Sequence, residues 1–344
     1  MPTSALHHPN PGRLMSEAGL NGRHARATTS AWPSAVHQSR LGVAFWKHHP
    51  MADQSASSLV AATLAFHRAT RGDLVKLTPA GNYQVAGRGA HADWCGDALG
   101  RRTFRARAIT AAAHWTQLSA TLTPMEWEMV SAARGLRQAL GPDVPLFATV
   151  FPPLTQALML AGPDRLQVLL DAAPDAARAG LDMLTCGTEQ LIAAYQDAGV
   201  NGIYLAAQHM TENILPLELY RRLGWQYDSR VMAACDHFDS NILHIHGAAI
   251  FLEGVPRRRP WAVHYELGPG NPSPEQYSAA CACPAVIGLP FDVWDAGAGI
   301  RQVVDSTLLR FGQNNALLTS PCVVPLAIQE ARIATWIEAL RHAY

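Results

Sequence analysis

Two histidines and a distant cysteine are the residues whose types and spacing point most directly to chemistry. His244 and His246 end the apolar segment 241–247, which reads Asn-Ile-Leu-His-Ile-His-Gly. Side chains of a β-strand alternate between its faces, so both imidazoles are expected on one face. Cys322, much later in the chain, is a candidate third ligand. Imidazole and thiolate suit Zn²⁺, and Fe, Co, Ni or Cu are alternatives. The competing interpretation is a hydrogen-bonded histidine pair and a buried thiol without metal.

The elements that would position these residues alternate between strands and helices. This alternation indicates parallel strands covered on both faces, and over residues 41–344 it predicts an α/β fold of the (β/α)₈ TIM-barrel type. An open doubly wound sheet is the alternative, although the chain has neither a Gly-x-Gly-x-x-Gly segment after a strand nor a Walker loop. The eighth strand is not assigned. Predicted strands are 73–78, 145–151, 201–207, 242–246, 261–265, 285–289 and 316–319; predicted helices are 55–70, 101–118, 124–140, 154–172, 174–198, 300–311 and 327–342.

Composition narrows the class of protein. Hydrophobic residues make up 49% of the 344 residues and charged residues 16%, with a net charge of zero, so no nucleic-acid or membrane surface is expected. Six cysteines in so long a chain do not suggest a disulfide framework, and a reduced cytoplasmic protein is expected. Residues 1–40 contain a single acid and no periodicity, which predicts a disordered N-terminal extension before a single barrel domain over 41–344.

Further candidate site residues follow the predicted strands. Chemistry in a barrel gathers at the carboxyl ends of its strands, where Gln208, His209, His264 and Glu266 are the candidate catalytic residues. Gln208 and His209 are candidate substrate contacts, or ordinary loop residues. His264 and Glu266 either orient a ligand imidazole or are solvated or hydrogen-bonded locally. Lys76 lies within the first strand; facing inward it would pair with a substrate carboxylate, and an outward orientation is the alternative. The close pair of cysteines at 281 and 283 is too tightly spaced for a usual zinc pair and is interpreted as structural.

Several motifs, taken in order, resemble the uroporphyrinogen decarboxylase superfamily from Phe45 to the C-terminus. The resemblance implies a (β/α)₈ barrel with its cleft at the strand carboxyl ends, in agreement with the pattern of strands and helices. The motifs are Phe45-Trp-Lys-His-His-Pro50, Asp73-Leu-Val-Lys-Leu-Thr-Pro79, Phe151-Pro-Pro-Leu-Thr-Gln-Ala157, Leu160-Ala-Gly162, Ala198-Gly-Val-Asn-Gly-Ile-Tyr204, His244-Ile-His-Gly247 and Leu318-Thr-Ser-Pro-Cys322.

The superfamily has two well-known chemistries, and the chain departs from the first. Uroporphyrinogen decarboxylases use no cofactor and carry an N-terminal Arg-Gln-Ala-Gly-Arg signature and an acid near the end of the first barrel strand. This chain lacks that signature, and its first strand ends in Leu77-Thr-Pro79. Decarboxylation of a large porphyrinogen is therefore not expected.

The second branch contains zinc-dependent methyltransferases, such as methylcobalamin:coenzyme M methyltransferase. They bind zinc through a His-x-Cys and a later Cys, which implies His244, His246 and Cys322 as ligands here, with His in place of the first Cys. Neutral imidazole in place of thiolate raises the charge of the site by about one unit. A more positive zinc is a stronger Lewis acid but leaves a bound thiolate less nucleophilic, so activation of water or an oxygen-bearing substrate is an alternative.

The leading interpretation is a metal-dependent enzyme, with zinc as the metal, that activates a small thiol or similar nucleophile for methyl or alkyl transfer. A corrinoid on a partner protein is the methyl donor that the resemblance implies, and a homodimer is a further candidate assembly. The first alternative is a cofactor-free carboxy-lyase acting on another carboxylated substrate. The second is a non-catalytic metal-binding barrel.

Overall fold

The computed structural model describes residues 41–257, 259–313 and 316–344, and the strands of this part of the chain form two sheets. Eight strands form one parallel sheet, and the other two, β3 and β4, form an antiparallel hairpin. The strands are β1 Gly42–Val43, β2 Val75–Leu77, β3 His91–Trp94, β4 Arg102–Ala106, β5 Leu146–Val150, β6 Gly202–Ala207, β7 Asn241–Ile245, β8 Trp261–Glu266, β9 Ala285–Gly288 and β10 Leu317–Thr319.

The order of the strands brings the first two to opposite edges of the parallel sheet. That order is β1, β10, β9, β8, β7, β6, β5, β2. The two edges are joined where the Asp73 backbone N–H donates to the Val43 carbonyl at 2.8 Å and the Val43 N–H donates to Asp73 Oδ2 at 2.7 Å. The predicted TIM-barrel fold is confirmed. The unassigned eighth strand is β1, whose two residues are too few to show a pattern.

Helices connect the parallel strands, and most begin or end at signals readable in the sequence. Thr123 caps α3 through a capping box, in which its hydroxyl accepts from the Glu126 N–H and the Glu126 carboxylate accepts from the Thr123 N–H. The helices are α1 Ala56–Thr70, α2 Tyr83–Ala86, α3 Pro124–Leu140, α4 Pro153–Ala161, α5 Pro163–Ala172, α6 Pro174–Asp197, α7 Leu217–Leu219, α8 Trp225–Ala234, α9 Pro274–Ala280, α10 Phe291–Trp294, α11 Ile300–Phe311 and α12 Glu330–Ala343.

The segment predicted as one helix over 154–172 is two helices. Gly162 separates α4 from α5 with a φ of 91°, a conformation that glycine adopts more readily than other residues. Pro163 then occupies the first turn of α5, where its missing N–H costs no helical hydrogen bond.

The predicted helix over 101–118 is wrong. Residues 102–106 form β4, which pairs with β3, and a short 3₁₀ helix covers Ala112–Gln117. Phe104 and Ala106 alternate with Arg105 and Arg107, a period-two pattern that indicates a strand.

The strands nearest the candidate histidines are buried along their whole length. Every residue of β5, β6 and β7 is buried, as expected for parallel strands covered on both faces. The predicted N-terminal extension, residues 1–40, lies outside the described residues. Within the part of the chain that the structure describes, no helix combines the length and apolar character needed to cross a membrane.

Candidate metal centre

A cavity of about 220 Å³ lies at the carboxyl ends of the barrel strands. Lys76 on β2, Tyr204 on β6 and His244 on β7 line it, together with His246 and Cys322, which follow β7 and β10. This volume lies below the roughly 300–1,000 Å³ typical of sites for drug-sized ligands, so the cavity suits a small molecule.

The two histidines and the cysteine converge in the wall of this cavity. Cys322 Sγ lies 3.7 Å from His244 Nε2 and 3.6 Å from His246 Nδ1. One ligand atom of each residue lies within 4.8 Å of the others. The strand alternation expected from the sequence therefore does bring both imidazoles to one side, and the end of β10 brings the thiol to meet them.

The two sulfur–nitrogen separations in this group fit a zinc ion. A tetrahedral Zn²⁺, with Zn–S of about 2.3 Å and Zn–N of about 2.0–2.1 Å, holds a sulfur and a nitrogen about 3.6 Å apart. The two measured separations, 3.6 and 3.7 Å, match that value. The donor set is also the imidazole and thiolate combination that zinc prefers, and three protein ligands would leave a fourth coordination position for a substrate or water.

Burial holds the imidazoles in the form that binds metals. Burial lowers the pKa of His246 to about 4 and the pKa of His244 well below its usual value. Both rings are therefore neutral near pH 7 and have lone pairs available. Burial raises the pKa of the Cys322 thiol, so without a cation the residue keeps its proton.

His264 and Tyr204 support His244 from neighbouring strands. His264 is the register partner of His244 across the β7–β8 pair, and the two ring centroids lie 4.6 Å apart. Tyr204 packs against His244 with centroids 5.4 Å apart, and its hydroxyl is hydrogen-bonded to His264 Nδ1 at 2.8 Å. His264 is fully buried and does not line the cavity, and its ring contacts are with Tyr204, His244 and Trp46.

Gln208 and His209 have different surroundings although they are adjacent in the chain. Gln208 lines the cavity. His209 does not: it is fully buried, with Nδ1 2.9 Å from Thr155 Oγ1 and Nε2 2.8 Å from Asp228 Oδ2. The Thr155 hydroxyl also accepts a hydrogen bond from the Gln208 N–H at 2.9 Å, so this chain of contacts anchors the backbone at Gln208.

Glu266 is the fourth predicted catalytic residue, and it lies outside the cavity lining. It ends β8 and is exposed, while its carbonyl accepts a hydrogen bond from the Asn271 side chain at 3.0 Å. Its charge is close enough to Cys322 to favour the protonated thiol there.

The β3–β4 hairpin adds cavity residues that sequence reasoning missed. Arg101, Arg102 and Phe104 line the cavity from this hairpin, and Arg102 forms an ion pair with Asp53, which is fully buried. Sequence analysis missed these residues because it interpreted segment 101–118 as a helix, whose periodicity differs from the alternation of a strand. Recognising the alternation in 103–107 would have identified the hairpin.

The Lys76 side chain faces the cavity, so the inward orientation of the two considered from the sequence is the one observed. The side chain is 8% exposed, and its Nζ lies 4.5 Å from the ring centroid of Tyr204. None of the six cysteines, all of which lie in the described residues and include Cys281 and Cys283, forms a disulfide. Cys283 Sγ lies 2.9 Å from the Pro256 carbonyl, away from the cavity lining.

Comparison with known proteins agrees with this fold. The structure of a methyltransferase from Methanosarcina mazei is similar with a TM-score of 0.71 and 13% identity, covering 88% of this chain and 94% of that one. A B12-independent methionine synthase from Shewanella sp. W3-18-1, in complex with selenomethionine, is similar with a TM-score of 0.53 and 12% identity, covering 84% and 86%. No curated protein matches the sequence.

The fold and the donor set define a barrel protein with a candidate metal centre. The family model described as uroporphyrinogen decarboxylase (URO-D) matches residues 105–264, a stretch that contains both candidate histidine ligands and ends before Cys322. The resemblance to the uroporphyrinogen decarboxylase superfamily is confirmed over these residues, which are fewer than half of the chain.

Proposed function

We propose that this protein is a zinc-dependent enzyme that activates a small thiol, or a similar nucleophile, for transfer of a methyl or related alkyl group. The observation that carries the proposal is the convergence of His244, His246 and Cys322 in one cavity wall, with ligand atoms within 4.8 Å of one another. The similarity in fold to a methyltransferase from Methanosarcina mazei supports methyl transfer as the reaction class.

The chain's own residues have distinct roles in this proposal. His244, His246 and Cys322 bind the metal, and a zinc ion held there would keep a substrate thiol as the nucleophilic thiolate near neutral pH. Tyr204 and His264 orient the His244 ring through packing and their shared hydrogen bond. We assign Gln208 to contact with the substrate, and His209 to holding the backbone beside it.

The reaction also needs a methyl donor. The family resemblance implies a corrinoid carried by another protein, so we include such a protein as the proposed partner. A donor of that size would reach the cavity from the strand carboxyl ends, where the β3–β4 hairpin contributes part of the wall.

Decarboxylation without a metal is the second candidate, and the match to the uroporphyrinogen decarboxylase family model supports it. The position of Lys76 disfavours decarboxylation of a porphyrinogen, in which a pyrrole ring becomes protonated. Strand β2, which contains Lys76, presents a cation to the cavity, and a cation disfavours the protonated pyrrole that an acid would stabilise. A non-catalytic metal-binding barrel is the third candidate.

Metal analysis of the full chain purified without added metal tests the leading proposal. Wild type and the exposed control His342→Ala are expected to carry about one zinc per chain, and His246→Ala much less. Equal and negligible metal in wild type and His246→Ala would refute the zinc centre and favour the metal-free lyase.

Cobalt substitution then tests whether the centre binds thiols. Co²⁺ bound with Cys322 is expected to give a thiolate-to-cobalt charge-transfer absorption that is absent in Cys322→Ser. Adding a small thiol should strengthen this absorption in wild type. Metal-loaded protein whose spectrum no thiol or alcohol changes would favour the non-catalytic barrel.

A further inference from the structure

Two cysteines that the candidate metal centre does not use lie close together at the other end of the barrel. Cys281 directly follows helix α9, and Cys283 is separated from strand β9 by a single residue. The pair is therefore beside the amino end of a barrel strand, whereas Cys322 follows the carboxyl end of β10. Because the barrel strands are parallel, these two ends face opposite sides of the barrel.

The backbone keeps the side chains of both cysteines on one side. Cys281 is extended, with a φ of −132° and a ψ of 128°. A residue before proline is restricted to extended conformations, so Pro284 favours the same backbone at Cys283. Alternate residues of an extended segment project to one side, with Cα atoms roughly 6.6 Å apart. That separation is within the range of about 4.4–6.8 Å that a disulfide spans.

Both thiols contact the same carbonyl group and each other. The Pro256 carbonyl oxygen lies 2.9 Å from Cys283 Sγ and 3.8 Å from Cys281 Sγ, and the two cysteine side chains are hydrogen-bonded. Cys281 is 5% exposed and Cys283 3% exposed, while Ala280 and Ala282 beside them are exposed. The pair thus lies directly beneath the surface, and it is not joined in a disulfide.

The surroundings of Cys281 favour its thiolate. The hydrogen bond from the Cys283 thiol lowers the pKa of Cys281 to about 6, although burial acts in the opposite direction. The Tyr277 hydroxyl, the backbone N–H of Cys283 and the charge of Arg257 contribute to the lowering. Cys235 shows the usual effect of an apolar interior, since burial raises its pKa well above the ordinary value. Buried thiols of that kind are inert, whereas a thiolate is the nucleophile that attacks disulfides.

We propose that Cys281 and Cys283 form a dithiol–disulfide exchange site that is oxidised by low-molecular-weight disulfides, a role beyond the structural one expected from their spacing. The Cys281 thiolate attacks one sulfur of a disulfide R–S–S–R, which forms a mixed disulfide and releases one thiolate R–S⁻. Cys283 then loses its proton and attacks the Cys281 sulfur, which closes the intrachain disulfide and releases the second R–S⁻. The two protons lost by the protein thiols are taken up by the two leaving thiolates, so R–S–S–R is reduced to two R–SH.

Mass analysis after treatment with glutathione disulfide tests this site in the full chain. The tryptic peptide that ends at Arg301 contains Cys281 and Cys283 and none of the other four cysteines. In wild type this peptide is expected to lose two hydrogens, and dithiothreitol should restore them. A wild-type peptide that keeps both thiols, or that carries only an adduct resistant to dithiothreitol, would overturn the proposal without the need for any variant.

Single substitutions distinguish the attacking thiol from the resolving thiol. Cys283→Ser keeps a hydroxyl donor beside Cys281 and is expected to stop at the mixed disulfide with glutathione. Cys281→Ser should acquire a glutathione adduct about tenfold more slowly, because its remaining thiol is not activated. Cys95→Ser, which removes an exposed thiol elsewhere, should form the intrachain disulfide at the wild-type rate. Equal adduct rates in the Cys281 and Cys283 variants would refute the exchange mechanism.

The pH dependence of alkylation tests whether the fold activates Cys281. In native protein, labelling of this residue by iodoacetamide should have its midpoint near pH 6, and in urea near the value of an ordinary cysteine, about 8.5. Arg257→Met should move the native midpoint upward, whereas Arg68→Met, which removes an exposed arginine of helix α1, should leave it in place. The same midpoint in native and unfolded protein would overturn the proposal, because the pair would then be two ordinary thiols.

Discussion

The hydroxyl of Tyr204 and Nδ1 of His264 form a hydrogen bond of 2.8 Å between strands β6 and β8. Both rings pack against His244, which lies on the strand between them. A contact that does not touch a metal or substrate thus fixes the ring of a candidate ligand. Supporting contacts of this kind commonly set the orientation and basicity of ligand histidines.

Removal of this hydroxyl should weaken both the fold and the metal site. Tyr204→Phe leaves His264 Nδ1 buried without its partner, which we expect to lower the free energy of unfolding by about 1–3 kcal/mol. Zinc affinity should also fall, by up to about tenfold, because His244 loses its fixed orientation. Urea unfolding and zinc titration measure the two effects.

Tyr265→Phe is the matched control for that variant. It removes a tyrosine hydroxyl that donates to the Pro272 carbonyl at 3.1 Å, outside the cavity lining. It should lower stability without changing zinc affinity. If both variants bind zinc as wild type does, the positioning role of Tyr204 is wrong.

Loss of the Cys322 thiol should remove much of the stabilisation that zinc gives the folded protein. Cys322→Ser replaces the only thiol of the centre with a poor zinc ligand, so zinc affinity should fall at least tenfold, roughly the lower limit for supporting residues. Zinc at about 100 times its dissociation constant should stabilise wild type by about 2.7 kcal/mol, and the variant much less. Thermal unfolding with and without zinc measures the difference.

Cys281→Ser controls for the loss of a thiol, since Cys281 is also buried and free but lies outside the cavity lining. It should retain the full stabilisation by zinc. Equal zinc stabilisation of the Cys322 and Cys281 variants would rule out Cys322 as a ligand.

The ion pair between Arg102 and Asp53 should stabilise the folded protein much more than the exposed ion pair that Arg105 forms on the same strand. The side chains of Arg102 and Asp53 are 9% and 0% exposed. Arg102→Met leaves a buried carboxylate unpaired and is expected to destabilise the protein by about 3–5 kcal/mol. The double variant Arg102→Met with Asp53→Asn should recover part of this loss. Guanidinium unfolding of the three proteins gives the coupling.

Arg105 provides the comparison on the same strand. It pairs with Asp93 at 3.6 Å, and the two side chains are 58% and 71% exposed. Arg105→Met should therefore cost no more than about 1 kcal/mol. A similar cost for both arginines would show that burial does not strengthen the Arg102 contact.

Stability should fall in mild acid because several histidines are buried, and His48 is one of them. Burial, assisted by the charges of Lys76, His49 and Arg101, lowers the pKa of His48 from 6.5 to about 3. Between these values the unfolded chain binds more protons than the folded one, so stability rises with pH and is lost as pH falls below 6.5. The contribution of one such histidine is at most about 1.4 kcal/mol per pH unit.

His48→Gln should reduce the slope of that dependence in metal-free protein by up to about 1.4 kcal/mol per pH unit, the contribution of one histidine. Urea unfolding at about pH 5 and about pH 7 compares the slopes. His342→Gln, on the exposed part of the last helix, should retain the wild-type slope. An unchanged slope in His48→Gln would mean that another group carries the acid sensitivity.

The barrel and the placement of both candidate histidines on one side of a strand were predictable from local patterns. Continuous apolar strands identified seven of the strands, and alternation along β7 put His244 and His246 on one side. Cys322 joined them only through the family resemblance, because no spacing rule links residues so far apart.

Contacts between distant side chains were not predictable in this way. The direction of the Lys76 side chain depends on the register of its strand in the sheet. His209 is enclosed by Thr155 and Asp228, because tertiary packing determines which polar groups meet. The hairpin that contains Arg102 was missed because a weak period-two pattern competed with an arginine-rich composition compatible with a helix.

The first strand, β1, has consequences for synthesis of the protein. Its ladder partner is β10, almost at the other end of the chain, and the Asp73 carboxylate that receives the Val43 N–H also pairs with Arg341 of the last helix. A chain in which β10 has not yet formed therefore leaves β1 without its ladder partner. Such an incomplete sheet has an unpaired edge strand, which makes it more prone to aggregation than the closed barrel.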